Sequence, residues 1–250
     1  MIYGLYLSAN GLITQGMRAD VISNNLANSN THGFKKDFLT LRQRDPEVLR
    51  QGPITRQSQR HLLAIGGAVE GDRSNSIFEQ GSLQRTENPL DVALNGDGFF
   101  KIQSPGDKAY YSRNGAFTLN PQGVLTAQNG LPVLSIDNEP IIVEEGNAII
   151  DQDGRVMIGE DEVAQIAVVS LEDQTVLHKV GENLFEPFGG EAIEIPSQAQ
   201  IAPGYLEGSS VSAIREMTSL IEAQRAYEAN AKVIGVQDDT LGKAISQIAT

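Results

Sequence analysis

The feature that most constrains this chain is a seven-residue repeat in its last forty residues. Ala213, Met217, Leu220, Gln224, Tyr227, Ala231, Ile234, Asp238, Leu241, Ile245 and Ile248 follow one another in alternating steps of four and three, and only Gln224 and Asp238 break the apolar run. A 3.5-residue repeat keeps one narrow stripe turned toward a partner helix. No proline lies between Ser209 and the C-terminus, so nothing forces a kink. The pattern predicts one helix roughly 55 Å long. Such a helix cannot bury its own seam, so the rest of the chain, or another chain, must cover it.

A second helical pattern opens the sequence. Leu5, Ala9, Leu12, Gly16, Ala19, Ser23 and Leu26 repeat at four and three. Small residues at Ala9, Gly16 and Ala19 allow close approach of a neighbour. An amphipathic surface helix is one reading; pairing with the C-terminal helix is the other, and a helix this short needs packing to persist. It runs into Ser23-Asn24-Asn25-Leu26-Ala27-Asn28-Ser29-Asn30-Thr31-His32-Gly33-Phe34. Asn, Ser and Thr compete with helical hydrogen bonds and tolerate left-handed backbone, so this cluster predicts a helix end. The carboxamides also suit contacts between tightly packed subunits.

Residues 35–80 are polar and irregular, with a basic patch at Arg42, Arg44, Arg50, Arg56 and Arg60. They read as an extended linker with one or two short strands near Leu62–Ile65. From Gly81 to Gly208 the apolar period becomes two and turns recur every eight to twelve residues, which is a β signature. Strands are expected over 91–94, 99–103, 116–119, 124–127, 131–136, 141–143, 148–150, 156–158, 163–170, 175–178 and 184–186. Asn120-Pro121-Gln122-Gly123 and Asp151-Gln152-Asp153-Gly154 read as hairpin turns. Gly96-Asp97-Gly98 reads as a tight hairpin joining Ala93–Leu94 to Phe99–Phe100. The fold class expected is α+β: a mainly-β central domain with long terminal helices packing as a coiled coil. Its divisions are 1–34, 35–80, 81–208 and 209–250.

Composition excludes several functions. The chain has 250 residues and a formal net charge of −13, which disfavours nucleic acid as a partner. Cysteine is absent, so there is no disulfide, thiolate metal site or cysteine nucleophile. His32, His61 and His178 have no metal-ligand spacing. No apolar run reaches membrane-spanning length, and the N-terminus lacks the pattern of a cleavable secretion signal. Gly96-Asp97-Gly98 lacks the third glycine and the following helix of a dinucleotide loop. Asp151-Gln152-Asp153-Gly154 is followed by Arg155 and Val156 where a calcium loop needs a ligand and a glycine. No serine sits in a nucleophile elbow. The expectation is no enzyme, no cofactor, no metal and no small-molecule substrate.

Four stretches resemble a known family. Asn24-Asn25-Leu26-Ala27-Asn28 followed by Thr31, Gly33, Phe34 and Lys35 is similar to the N-terminal signature of bacterial flagellar axial proteins of the rod and hook. Asn88-Pro89-Leu90-Asp91-Val92-Ala93-Leu94-Asn95-Gly96-Asp97-Gly98-Phe99-Phe100 resembles the family's core-domain motif, and Tyr111-Ser112-Arg113-Asn114-Gly115-Ala116-Phe117 resembles another. Glu222-Ala223-Gln224-Arg225-Ala226-Tyr227-Glu228-Ala229-Asn230 resembles its C-terminal helix signature. The matches run in order over nearly the whole chain, whose length suits a rod protein.

The resemblance implies a structural subunit that polymerises helically into the hollow rod of the basal body, carrying motor torque to the hook. It implies terminal helices paired around a central channel and export through the flagellar type III apparatus without a cleaved signal, to the cell envelope's periplasmic span. Partners implied are the chain itself, other rod and hook proteins and the export apparatus, with the surrounding ring proteins a further candidate. Features of the distal and proximal rod proteins both occur, so that choice stays open here. The expected assembly residues are Leu5, Leu12, Asn24, Asn25, Leu26, Asn28, Gly33, Phe34, Met217, Leu220, Gln224, Tyr227, Ile234, Leu241 and Ile245. Rival readings are a hook-type axial protein, and a β-domain binding module whose helices only oligomerise.

Overall fold

The computed structural model describes residues 2–43, 69–106, 109–143, 148–189 and 192–248. It mixes helix and strand, with helix α1 (Ile2–Ala27) at one end, helix α2 (Ala213–Ile248) at the other and a mainly-β region between. The chain weaves between two compact units. One takes Met1–Leu26, Asp37–Asn75 and Ala213–Thr250; the other takes Ala27–Lys36 and Ser76–Ser212.

The first unit holds both helices and a two-stranded sheet of β1 (Asp37–Gln43) and β2 (Val69–Ser76). Within 35–80, read from the sequence as an extended linker with one or two short strands, these are the strands of the described residues. The expected strand near Leu62–Ile65, and Arg44, Arg50, Arg56 and Arg60 of the basic patch, lie outside the described residues. Strand β2 is tied to α1: the Thr14 hydroxyl donates to the Val69 carbonyl over 3.0 Å. Gly71 lies so close to Met17 that a Cβ there would sit 2.8 Å from its sulfur.

Helices α1 and α2 approach each other antiparallel. A Cβ on Gly4 would meet the Gln237 amide at 3.0 Å, and one on Gly11 would meet the Asn230 amide at 3.1 Å. Seven residues forward on α1 thus match seven residues back on α2. The covered stripe of α2 runs through Glu216, Leu220, Ala223, Asn230, Ile234, Gln237 and Leu241. That stripe is rotated from the apolar seam and shares only part of it. Leu220, Ile234 and Leu241 belong to both, but Met217, Tyr227 and Ile245 stay 47%, 47% and 67% exposed, and Gln224 is exposed too. The physical reason is steric: the glycines of α1 admit large amides, so α2 turns its amides inward and part of its apolar seam outward.

The second unit contains β3 (Leu83–Arg85), β4 (Val92–Asn95), β5 (Phe99–Gln103), β6 (Ala109–Ser112), β7 (Phe117–Leu119), β8 (Leu125–Ala127), β9 (Ala148–Ile150) and β10 (Arg155–Ile158). It continues with β11 (Asp161–Gln165), β12 (Val168–Leu171), β13 (Leu177–Gly181), β14 (Leu184–Pro187), β15 (Glu194–Pro196), β16 (Gln200–Pro203) and β17 (Tyr205–Glu207). The largest sheet has six strands in the order β13-β14-β6-β5-β12-β15; β11-β10-β9 form a second, and β16-β4, β17-β3 and β7-β8 are pairs. Successive side chains of a strand point to opposite faces, and β5 uses both. Phe100 and Ile102 enter a core with Val92, Leu94, Phe117 and Leu125. Phe99 enters a separate core with Tyr111, Leu171, Leu177 and Phe185. Edge-to-face rings lock each side, Phe100 on Phe117 with centroids 5.1 Å apart and Phe99 on Phe78 at 5.3 Å.

Both expected hairpin turns form. The Asn120 side chain accepts from the backbone N–H of Gln122 and Val124, and Asp151 does the same for Asp153 and Arg155, while β7-β8 and β9-β10 pair antiparallel across them. The Gly96-Asp97-Gly98 hairpin does not form. Strand β4 pairs with β16, while β5 pairs with β6 and β12, so these residues are a crossing between sheets. A Cβ on Gly98 would lie 2.5 Å from the Ser197 hydroxyl. The expected strand over 163–170 splits into β11 and β12, which join different sheets. Those over 131–136 and 141–143 reduce to isolated bridges such as Leu134 with Pro140. Strands β3, β6, β15, β16 and β17 were not anticipated; their short, mostly polar or proline-bearing sequences carry no clear alternation.

Candidate functional site

The most unusual chemistry lies inside the second unit, where the segment after α1 meets the segment before α2. Backbone pairing draws them together. The Gly33 N–H donates to the Glu207 carbonyl (2.7 Å), Ser210 N–H to the Phe34 carbonyl (3.1 Å), and Ile77 N–H to the Lys36 carbonyl (2.8 Å). The Ser210 hydroxyl accepts from the Lys36 N–H at 3.0 Å. Strand β17 holds Glu207 in place by pairing with β3.

Gly33 is required twice over. Its φ is +69°, and a Cβ would lie 2.5 Å from the Asn114 backbone nitrogen. Phe34 is buried, with the Lys179 ammonium 3.7 Å above its ring centroid, a cation–π contact. That ammonium also donates to the Lys35 carbonyl, and the Asn183 amide donates to the His32 carbonyl at 2.9 Å.

At the centre lie three charged side chains. Lys35 Nζ is 2.6 Å from Glu207 Oε1, and both side chains are at most 1% exposed. Arg113 Nη1 is 3.5 Å from Glu207 Oε2 and is equally buried. The ammonium also donates to the Glu79 carbonyl at 2.6 Å, while Glu207 Oε1 accepts from the Gly81 N–H at 2.7 Å. The Arg113 guanidinium sits 5.3 Å from the Phe99 ring centroid. One carboxylate therefore faces two cations away from water. Burial pushes Lys35 and Arg113 below their ordinary pKa values, and the Glu207 charge pulls both back up. Nothing here resembles a nucleophile beside its base. The arrangement can fix four chain segments, around residues 35, 80, 113 and 207, to one point, because losing Glu207 strands buried positive charge.

The remaining expected site residues are dispersed. Asn25 is buried in the first unit, where its amide clamps Asp37, donating to its carbonyl at 2.7 Å and accepting from its N–H at 2.9 Å. Asn28 closes the helix end: its carbonyl accepts from the Thr31 N–H and its side chain from the Thr31 hydroxyl. Leu5, Leu12 and Leu26 on α1, and Leu220, Ile234 and Leu241 on α2, are partly covered; Asn24 is exposed. Gly33 and Phe34 are interior to the subunit. Lys35, Arg113 and Glu207 were not singled out from the sequence, although Lys35 and Arg113 stand in the quoted signatures. The available signal was a lone charge close to tyrosine and glycine at Arg113 and Glu207; Lys35, followed by Lys36 and Asp37, carried none.

Among the described residues no helix is long and apolar enough to cross a membrane. Comparison with known proteins covers the chain from end to end. Residues 5–35 match the family model for flagella basal body rod protein, 93–158 that for flagellar hook protein FlgE/F/G D1 domain, and 202–247 that for flagellar basal body rod FlgEFG protein C-terminal. Flagellar basal-body rod protein FlgG of Buchnera aphidicola from Schizaphis graminum is 32% identical, covering 99% of this chain and 100% of its own. Flagellar basal-body rod protein FlgF of Caulobacter vibrioides is 34% identical over 92% of this chain and 91% of its own. FlgG of Bacillus subtilis is 30% identical over 98% and 99%. The three models overlap the signatures that begin at Asn24, Asn88 and Glu222, the second from Ala93 onward, and the chain belongs to the flagellar basal-body rod protein family.

Proposed function

We propose that this chain is a structural subunit of the flagellar rod, of the distal FlgG type, and that it polymerises with copies of itself and with other axial proteins into the shaft that turns the hook. The observation that carries this reading is the end-to-end match to a rod protein, at 99% of this chain and 100% of the relative. Two of the three relatives described above bear the FlgG name. In this reading the terminal helices form a coiled coil that is completed by neighbouring subunits. The exposed part of the seam, Met217, Gln224, Tyr227 and Ile245, faces those neighbours, together with Asn24. The covered positions Leu5, Leu12, Leu26, Leu220, Ile234 and Leu241 hold the helix pair itself. Asn25, Asn28, Gly33 and Phe34 act indirectly, by shaping the subunit that assembles. Export through the flagellar type III apparatus and a place in the periplasmic span of the basal body belong to the same proposal, and so does the absence of enzymatic activity. A hook-type role is the second reading, favoured only by the hook name in the D1-domain match.

Deletion of the gene followed by electron microscopy of the basal bodies tests this. A rod truncated short of its outer segment is expected. A complete rod and hook would overturn the proposal, and a rod stalled at a short stub would move the chain to a proximal position.

A further inference from the structure

We infer that the antiparallel register of α1 against α2 is selected by layers of amide on glycine, and that the apolar seam does not select it. This inference stands on the helix pair and does not depend on the rod reading.

A heptad repeat leaves register ambiguous, because a slip of seven residues presents the same apolar pattern again. The repeat in α2 runs almost uninterrupted, so leucine and isoleucine alone would tolerate such slips. The contacts that differ between registers are polar. The Gln237 amide lies on Gly4 and the Asn230 amide lies flat on Gly11, with its nitrogen, carbon and oxygen all between 3.1 and 3.2 Å from where a Cβ would be. The Asn230 amide also donates to the Ala226 carbonyl of its own helix at 3.0 Å, which fixes its orientation across the glycine. Counting on by seven places Arg18 opposite Ala223, which is completely buried, and then Asn25 opposite Glu216, both buried.

The Gly4 and Gly11 layers therefore each oppose a glycine to a large amide, while Arg18, in the third, is exposed. A slip of one heptad in either direction breaks that rule. One slip puts Gly11 against Ala223, leaving a void, and Arg18 against Glu216. The other puts Gly4 against Ala244 and drives Arg18 onto Asn230. Both mispack a layer and displace at least one amide from its glycine. Close-packed interiors penalise voids and overlaps alike.

The chain has no cysteine, so register can be read by disulfide trapping in the full-length protein. By the same count Leu7 stands opposite Ile234 in the native register, and opposite Tyr227 or Leu241 in the two slipped ones. Three double variants are compared at dilute concentration, with intramolecular cross-links read by gel mobility: Leu7→Cys with Ile234→Cys, with Tyr227→Cys, and with Leu241→Cys. The native pair is expected to form at least about tenfold faster than either slipped pair, the ratio supported by one mispacked layer. Adding Asn230→Ala and Gln237→Ala should bring the three rates together, and exchanging the partners by Gly11→Asn with Asn230→Gly should restore the preference. A preference unchanged in the amide-free background would overturn the inference. Loss of all three cross-links there would also overturn it, since the amides would then hold the pair together and not choose its register.

Discussion

Replacing Glu207 by Gln tests whether the buried charge cluster holds the β unit together. The amide keeps the volume and retains an oxygen for the Gly81 N–H, so what is removed is the charge. Lys35 at 2.6 Å and Arg113 at 3.5 Å then lose their buried counter-charge, and only the exposed Asp97 carboxylate, 4.0 Å from Arg113, is left to oppose them. Removing one member of a buried ion pair costs about 3–5 kcal/mol. With a urea dependence of about 2 kcal/mol per molar, the unfolding midpoint should fall by roughly 1.5–2.5 M. Near-ultraviolet circular dichroism is the readout, because the chain lacks tryptophan and Tyr111 is buried in the β unit. Lys35→Met added to Glu207→Gln removes one stranded cation and should recover part of the loss.

The pH dependence follows from the sign of the Lys35 shift. Burial lowers its folded pKa, with Glu207 opposing. Between that lowered value and the ordinary lysine range near ~10.4, the unfolded chain binds more protons, so stability rises with pH across that window. Without Glu207 the lysine sheds its proton at still lower pH. The stability gap between wild type and Glu207→Gln should therefore narrow as pH approaches ~10. A midpoint shift below about 0.3 M at neutral pH, equivalent to about 0.6 kcal/mol, would refute the reasoning.

Gly33→Ala combines left-handed backbone with a Cβ 2.5 Å from the Asn114 nitrogen; it should lower β-unit stability by at least about 1–3 kcal/mol in the same urea assay. Asn25→Ala, which deletes both bonds to Asp37, should cost about 1–3 kcal/mol and speed amide hydrogen exchange at Asp37. Leu220→Asp or Ile234→Asp should abolish rod assembly and swimming while leaving the urea midpoint of the β unit unchanged; normal motility would count against the helix role. Ile245→Asp, at an exposed position, should leave monomer stability within about 0.5 kcal/mol and still impair polymerisation, measured by sedimentation and electron microscopy.

The two helices and most β strands were legible because each is governed by one dominant pattern. The heptads of α2 and the turn residues at Asn120 and Asp151 specify local structure without help from elsewhere. The Phe99–Phe100 pair shows where this ends. Its strand reads correctly, but alternation cannot reveal that both faces of its sheet are buried, nor that the glycines before it lead away from β4. The short strands β3 and β17 form because each finds the other across more than a hundred residues, a non-local choice that leaves little trace in composition. The charge cluster was hidden for the same reason: Lys35, Arg113 and Glu207 are ordinary surface-type residues until tertiary structure encloses them. The inward turn of the α2 amides depends on glycines two hundred residues away.

The weave of the chain between the two units has an entropic consequence. Unit boundaries fall after residues 26, 36, 75 and 212, and three of them lie beside hydrogen bonds within the β unit: Ile77 to Lys36, and Lys36 and Phe34 to Ser210. Once that unit folds, the start of β1, the end of β2 and the start of α2 are tethered at a common origin. The 136 or so residues between β2 and α2 would otherwise have to be closed as a loop when the first unit forms, at a cost of about 4 kcal/mol. Folding of the β unit meets that cost in advance, so the helical termini begin their search from a shared anchor, at high effective concentration.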